Sequence, residues 1–139
     1  MENYMELKVK AIASNEVFVR NSVAAFCTEN NPSVETIGDI KTAVSEAVSN
    51  CIVHAYKSSG EGEITVKAWI EDGSVHIDVS DNGCGIEDVN KALEPYYTTA
   101  GEKERAGIGF MIMGAFMDEL SVESSLSCGT KVSMMKKLA

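Results

Sequence analysis

The sequence predicts a two-layer α/β sandwich, in which a mixed and mainly antiparallel sheet is covered by helices on one face. Three observations carry this expectation. Strand-like and helix-like periods follow one another in the order β-α-α-β-β-α-loop-α-β-β, which is not the strict alternation of a doubly wound parallel sheet. Asp72-Gly73 sits between two alternating runs and marks a hairpin. The 139 residues suit one continuous domain, 1–139, with a single core, and no repeat, low-complexity stretch or linker divides it.

The first strand lies within Met5 to Ile12, where Met5, Leu7, Val9 and Ala11 alternate with Glu6, Lys8 and Lys10. Ser14 or Asn15 is expected to cap a first helix that runs to about Glu29, with Phe18, Ser22, Ala25 and Phe26 on one face. Asn31-Pro32-Ser33 is a turn and helix start, Ser33 standing three residues before Thr36. The second helix, about Val34 to Tyr56, carries Ile37, Ile40, Val44, Val48, Cys51, Ile52 and Ala55 as its apolar stripe. Ile64, Val66, Ala68, Ile70 and then Val75, Ile77, Val79 form the hairpin strands. A short helix near Glu87 to Leu93, a polar stretch from Glu94 to Ala106, a helix from Gly107 to Met117 and two strands, about Glu119 to Ser124 and Thr130 to Lys136, complete the chain. Met111, Met113 and Met117 read as gap-fillers on or beside a buried helix.

Composition removes several function classes. A formal charge of −9 argues against nonspecific nucleic-acid binding, which needs lysine and arginine on phosphates. No apolar run approaches the ~20 residues that span a bilayer, and the N-terminus lacks the basic and apolar regions of a signal peptide. A cytoplasmic protein is expected, with no membrane partner. Cys27, Cys51, Cys84 and Cys128 are scattered without a Cys-x-x-Cys pair, so free thiols are expected. His54 and His76 lack companions with metal-ligand spacing.

Four short segments carry chemistry. Glu46 and Asn50 stand at i and i+4 on one helix face, opposite most of the apolar stripe. Alone, such a pair also describes a solvated polar face; a carboxylate can take a proton, and an amide oxygen is a hard ligand suited to magnesium. Asp81-Asn82-Gly83-Cys84-Gly85-Ile86 ends a strand, where a carboxylate can accept an amino hydrogen and glycines admit a flat ring. A glycine-rich turn without a ligand fits those residues as well. Gly107-Ile108-Gly109-Phe110 is read as a helix start, a place where free N–H groups receive phosphate. Gly129-Thr130 enters the last strand.

In this order and spacing the four segments resemble the N, G1, G2 and G3 boxes of the GHKL, or Bergerat, ATP-binding family of gyrase, Hsp90, histidine kinases and MutL. The resemblance implies ATP and ADP as ligands with Mg²⁺, Glu46 as the base that activates the attacking hydroxyl, and Asn50 as the magnesium ligand. It implies Asp81 for adenine, with Gly83, Gly85, Ile86 and Thr130 shaping that pocket and Gly107, Ile108, Gly109 and Phe110 at the phosphates. The stretch from Tyr96-Tyr97-Thr98-Thr99 to Ala106 becomes an ATP lid, from which Arg105 reaches the γ-phosphate.

Further residues narrow the resemblance. Asn15-Glu16-x-Phe18-x-Arg20, Val23-Ala24-Ala25-Phe26, Ile52-Val53-His54-Ala55-Tyr56, Phe116-Met117-Asp118-Glu119 and Val122-Glu123-Ser124 are similar to the anti-sigma F factors of spore-forming bacteria over essentially the full length. That resemblance implies a protein serine kinase. It would hold the sporulation sigma factor F inactive and phosphorylate a serine of an anti-anti-sigma partner, the nucleotide state selecting between the two. It further implies a homodimer through the sheet and Arg20 as a partner contact. A related switch kinase for a general-stress sigma factor, or a nucleotide-gated binding module without phosphotransfer, are the competing expectations. One departure stands out: close relatives commonly carry Thr-Thr-Lys-Pro in the lid, where this chain has Thr98-Thr99-Ala100-Gly101. The change removes a lysine and loosens the loop.

Overall fold

The computed structural model describes residues 2–86, 88–93 and 102–138, with side chains for all of these except 91, 92 and 102–106. Of the stretch expected to form the lid, residues 96–101, which include Thr98, Thr99, Ala100 and Gly101, lie outside the described residues. The element order is β1 (Asn3–Lys10), α1 (Ala13–Cys27), α2 (Val34–Asn50), β2 (Glu63–Glu71), β3 (Ser74–Asp81), α3 (Val89–Leu93), α4 (Glu102–Phe116), β4 (Glu119–Ser124) and β5 (Thr130–Lys137). The strands pair in the order β1-β2-β3-β5-β4. Each neighbouring pair is antiparallel, so the sheet is antiparallel throughout rather than mixed.

Period-2 chemistry accounts for the sheet. Ile64, Val66, Ala68 and Ile70 of β2, and Val75, Ile77 and Val79 of β3, are buried at alternate positions. They meet Val19 and Val23 of α1, Ile40, Val44 and Val48 of α2, and Phe110 and Met113 of α4 in one core. Asp72 and Gly73 both take positive φ, 51° and 74°, the geometry of the tight hairpin turn that matches strand twist. Among the described residues, no helix covers the opposite face of the sheet. There Trp69 and His76 stack with ring centroids 5.2 Å apart, beside a hollow of about 570 Å³ that Met135 and Glu119 also line.

The helices differ from expectation in three places. Ser33 caps α2 as anticipated, its hydroxyl accepting from Thr36 N at 3.1 Å. In α1, however, Ile12 holds the cap position without a side-chain bond, and Asn15 Nδ2 instead donates to Lys10 O at 2.9 Å. The buried face of α1 is Val19, Val23, Ala24 and Cys27, while Phe18 is 52% exposed. Two apolar stripes one residue out of phase compete along α1. The all-apolar stripe is buried, and the one that includes polar Ser22 is not. The second correction concerns α2, which ends at Asn50 and passes into a π-helical turn, Cys51–Ala55. Its physical cause is Tyr56, whose hydroxyl donates to Glu63 O and accepts from Asn82 N, both at 2.7 Å. The wider turn delivers that ring to the end of the sheet.

The third correction bears on function. Helix α4 begins at Glu102, five residues before Gly107, so the free N–H groups of its first turn belong to residues 102–105. Glu102-Lys103-Glu104-Arg105-Ala106 consists of good helix formers. An all-polar stretch has no apolar period, which is why it reads as loop in the sequence. Met113 and Met117 are buried as expected, but Met111 is 46% exposed. Among the described residues, no helix is long and apolar enough to cross a membrane.

Candidate nucleotide site

The fold assembles two groups of polar residues. The first lies where α2 meets α4. Gly109 faces Glu46 and Asn50 so closely that a Cβ there would sit 3.1 Å from Asn50 Oδ1, 3.2 Å from its Nδ2 and 3.3 Å from Glu46 Oε2. The absence of a side chain lets the α4 backbone approach both groups. Asn50 Nδ2 is buried without a hydrogen-bond partner among the described residues. A buried amide left unpaired is costly in a native protein unless something else satisfies it. Burial lifts the Glu46 carboxyl above its ordinary range, and the nearby Glu16 charge adds to the effect. Glu16 in turn pairs with Arg20 at 3.4 Å across one turn of α1.

The second group lies at the end of β3. Asp81 is the one buried charged side chain among the described residues. Its Oδ1 accepts from Gly83 N at 2.9 Å and from Thr130 N at 3.2 Å. The Cys51 thiol, held protonated by burial and by the Asp81 charge, is a third donor to this carboxylate. Burial raises the Asp81 carboxyl, and these donors pull it back toward the ionised form. Thr130 faces Asp81 across the β3–β5 pair and Ser124 across the β4–β5 pair. Ser124 Oγ accepts from Ile86 N at 2.8 Å and donates to Gly129 O at 2.9 Å. A hydroxyl has one proton, so in the 2.7 Å contact between Ser124 and Thr130 the donor is Thr130. Thr130 Oγ1 therefore has only lone pairs left to offer, and Asp81 Oδ2 accepts neither of the N–H groups held by Oδ1. This end of the site is an acceptor surface, suited to a base edge that carries an amino group.

The glycines keep this end tight. A Cβ at Gly83 would strike Ala55 O, one at Gly85 would strike Ser125 O, and one at Gly129 would strike Asp81 O. Gly85 and Gly129 also hold φ of 75° and 82°, where side chains are strained.

Of the residues singled out in the sequence, Glu46, Asn50 and Gly109 come together, and so do Asp81, Gly83, Gly85, Ile86 and Thr130. Ile108 is 48% exposed, and Phe110 is buried at 3% with its ring in the core. Gly107 does not open the helix, as described above. Arg105 falls within α4, its side chain outside the described set, and Arg20 lies on α1. Three site residues escaped the sequence reading: Tyr56, Cys51 and Ser124. Ser124 had a signal, because it shares the inward parity of Leu120 and Val122, which places a hydroxyl on the core side of β4. Replacing it by alanine strands Ile86 N–H in a part-buried position. Ser124→Ala is expected to lower stability by about 1 kcal/mol, the low end for an unpaired buried donor, read from the urea midpoint. An unchanged midpoint would contradict the network.

Comparison with known proteins gives the family and the fold. The chain matches the model of the histidine kinase-like ATPase domain over residues 11–136. It is 54% identical to the anti-sigma F factor of Caldanaerobacter subterraneus subsp. tengcongensis over 134 residues, covering 96% of this chain and 93% of that protein. It is 50% identical to the anti-sigma F factor of Clostridium acetobutylicum, covering 100% and 96%. Among solved structures, the RsbU and RsbW domains of Rv1364c from Mycobacterium tuberculosis superpose with a TM-score of 0.71 at 22% identity, covering 98% of this chain and 32% of that larger one. That likeness establishes the shared fold. The 130-odd aligned residues at about half identity establish more: the chain belongs to the anti-sigma F factors, which are built on the histidine kinase-like ATPase domain.

Proposed function

We propose that this anti-sigma factor is a cytoplasmic, Mg²⁺- and ATP-dependent protein serine kinase, residues 1–139 acting as one domain. It holds the sporulation sigma factor F inactive and phosphorylates a serine of its anti-anti-sigma partner. The observation that carries the reading is the meeting of Glu46, Asn50 and Gly109, with Asn50 Nδ2 buried and unpaired. An amide in that position has an acceptor oxygen and a donor nitrogen to offer, whichever way it is turned.

When bound, Mg-ATP supplies the γ-phosphoryl group and the cation that neutralises its charge. The residues of the chain do the rest. Asp81 and Thr130 offer acceptors to the amino group of adenine, and Gly83, Gly85 and Ile86 leave room for the ring. Asn50 holds the cation through its amide oxygen. The absence of a side chain at Gly109 brings the α4 backbone close to Asn50 and Glu46, next to which the phosphates lie, with Gly107, Ile108 and Phe110 placing that stretch of α4. The support for these four is this close approach rather than a helix start. Thr98, Thr99 and Arg105 complete the phosphate end. Glu46 accepts the proton of the attacking serine hydroxyl; its raised carboxyl makes it a stronger base than an exposed glutamate. Arg20, half-buried against Glu16, contacts the protein partners, and ADP favours the anti-anti-sigma partner over the sigma factor. The open face of the sheet, with stacked Trp69 and His76, is the surface through which two copies associate.

Two experiments test this. With γ-labelled ATP, magnesium and the anti-anti-sigma protein, Glu46→Ala is expected to lower phosphoserine formation by about 10²–10⁴-fold, the usual contribution of a general base. Its ATP affinity should not fall. A parallel loss of binding would make Glu46 a structural residue instead.

The second experiment uses pH. Burial and then Glu16 raise the Glu46 carboxyl, so the wild-type protein loses its deprotonated base at a higher pH than an ordinary glutamate would. Removing the Glu16 charge leaves only the burial effect. In Glu16→Gln the acid limb of the kcat/KM profile is therefore expected to move to lower pH. A limb that stays in place or moves upward contradicts the assignment of Glu46 as base.

A further inference from the structure

Two exposed thiols, Cys84 and Cys128, sit on the two loops that close the sheet end of the site. Cys84 belongs to the loop that leaves β3, and Cys128 to the turn between β4 and β5. The loops touch through their backbones. Ser127 N donates to Cys84 O at 2.8 Å, and Cys128 N donates to Ser125 O at 3.1 Å. A Cβ at Gly85 would strike that same Ser125 O. Cys84 is fixed from its other side as well, its N–H donating to Ala55 O at 3.1 Å. The hydrogen bond between Ser127 and Cys84 puts the two thiol-bearing loops in direct contact, and a disulfide asks for about 4.4–6.8 Å between its Cα atoms. Cys128 is next in sequence to the residue that Cys84 holds. The glycines beside both cysteines, Gly83, Gly85 and Gly129, are what allow so close an approach. The other two cysteines are of a different kind: Cys27 and Cys51 are buried, and burial raises the Cys27 thiol to about 11.

We propose that Cys84 and Cys128 form a dithiol that a low-molecular-weight disulfide converts to an intramolecular bridge, and that the bridge weakens adenine-nucleotide binding. The chemistry balances with glutathione disulfide as oxidant. One protein thiolate attacks a sulfur of glutathione disulfide, forming a mixed disulfide and expelling one glutathione thiolate. The second protein thiolate then attacks the cysteine sulfur of the mixed disulfide and expels the other. Two protein thiols are oxidised, one disulfide is reduced, and the two protons end on two molecules of glutathione.

The link to the nucleotide follows from where the Cys84 sulfur is now. It donates to His54 O at 3.4 Å and also contacts Gly85 O at 3.6 Å. To reach Cys128 it must leave both, and the bridge then ties the loop that carries Gly83 to the turn between β4 and β5. Gly83 N is one of the donors that orient Asp81 Oδ1. This half of the proposal rests on Asp81 as the adenine residue.

The test uses the full chain with glutathione disulfide as the probe. The expected result is an intact mass two hydrogens lower, a fall in titratable thiols from all four cysteines to the buried two, and a peptide joining Cys84 to Cys128. Adenine-nucleotide affinity should fall about tenfold, the equivalent of one charge-assisted hydrogen bond, and return with dithiothreitol. Cys128→Ser should accumulate one glutathione adduct in place of the bridge. Stable glutathione adducts on both cysteines of the wild-type chain, disulfide-linked dimers or four unreacted thiols would each overturn the bridge. A bridge that leaves affinity unchanged would overturn its regulatory effect. Failure of the reduced chain to bind adenine nucleotide would overturn the nucleotide reading and the affinity effect with it, while the mass measurement decides the bridge separately.

Discussion

The carboxylate of Asp81 ties together three segments that are distant in sequence. Its Oδ1 holds the loop that leaves β3 through Gly83 N and the start of β5 through Thr130 N, and the Cys51 thiol approaches it from the turn after α2. Each of these segments also has local ties. Tyr56 pins the end of the π-helical turn to Glu63 and Asn82, and Ser124 links Ile86 to Gly129. The carboxylate is where they meet. A buried charge is retained in a small core only when several donors compensate its lost hydration, and here donors are supplied from both sides. The arrangement needs backbone to pass within contact distance of backbone, which explains why Gly83, Gly85 and Gly129 surround it.

The other end of the site obeys a different constraint. Glu46 and Asn50 project from α2 toward α4, and the missing side chain at Gly109 lets that helix approach them closely. The result is a polar contact between two packed helices, with one amide nitrogen left unpaired among the described residues. In the proposed reading, the sheet end takes the base and the helix end takes the phosphates. Glu16 and Arg20 then connect the helix end to the outer face of α1, where partners would bind. Glu16, one partner of that ion pair, is also the charge that helps to raise the Glu46 carboxyl.

Much of this was legible in the sequence where the physics is local. Asp72-Gly73 specified its hairpin, since both residues tolerate positive φ. Ser33 specified the start of α2 through its own hydroxyl. Glu46 and Asn50 needed only helical spacing to share a face, and Asp81 needed only its place at a strand end before glycines. What failed depends on tertiary partners. The phase of α1 turned on which of two adjacent stripes the sheet accepts, so Phe18 was assigned inward and Val19 overlooked. The early start of α4 at Glu102 was hidden because a polar helix has no period to read. The π-helical turn answers to Tyr56 reaching Asn82, a contact across 26 positions that no local pattern encodes. Ser124 lies between these cases. Its parity was visible, but its importance came from the three partners that surround it.

The account is tested most directly by comparing ATP and GTP affinity calorimetrically for the wild-type chain and for Asp81→Asn. The asparagine keeps the oxygen that accepts from Gly83 and Thr130, but places an amino group where adenine would donate. The account predicts a wild-type preference for ATP that shrinks by about 10–100-fold in the variant, the range of one hydrogen bond to a charged group. A wild-type chain that binds both nucleotides alike, or a preference that survives the substitution, would contradict it.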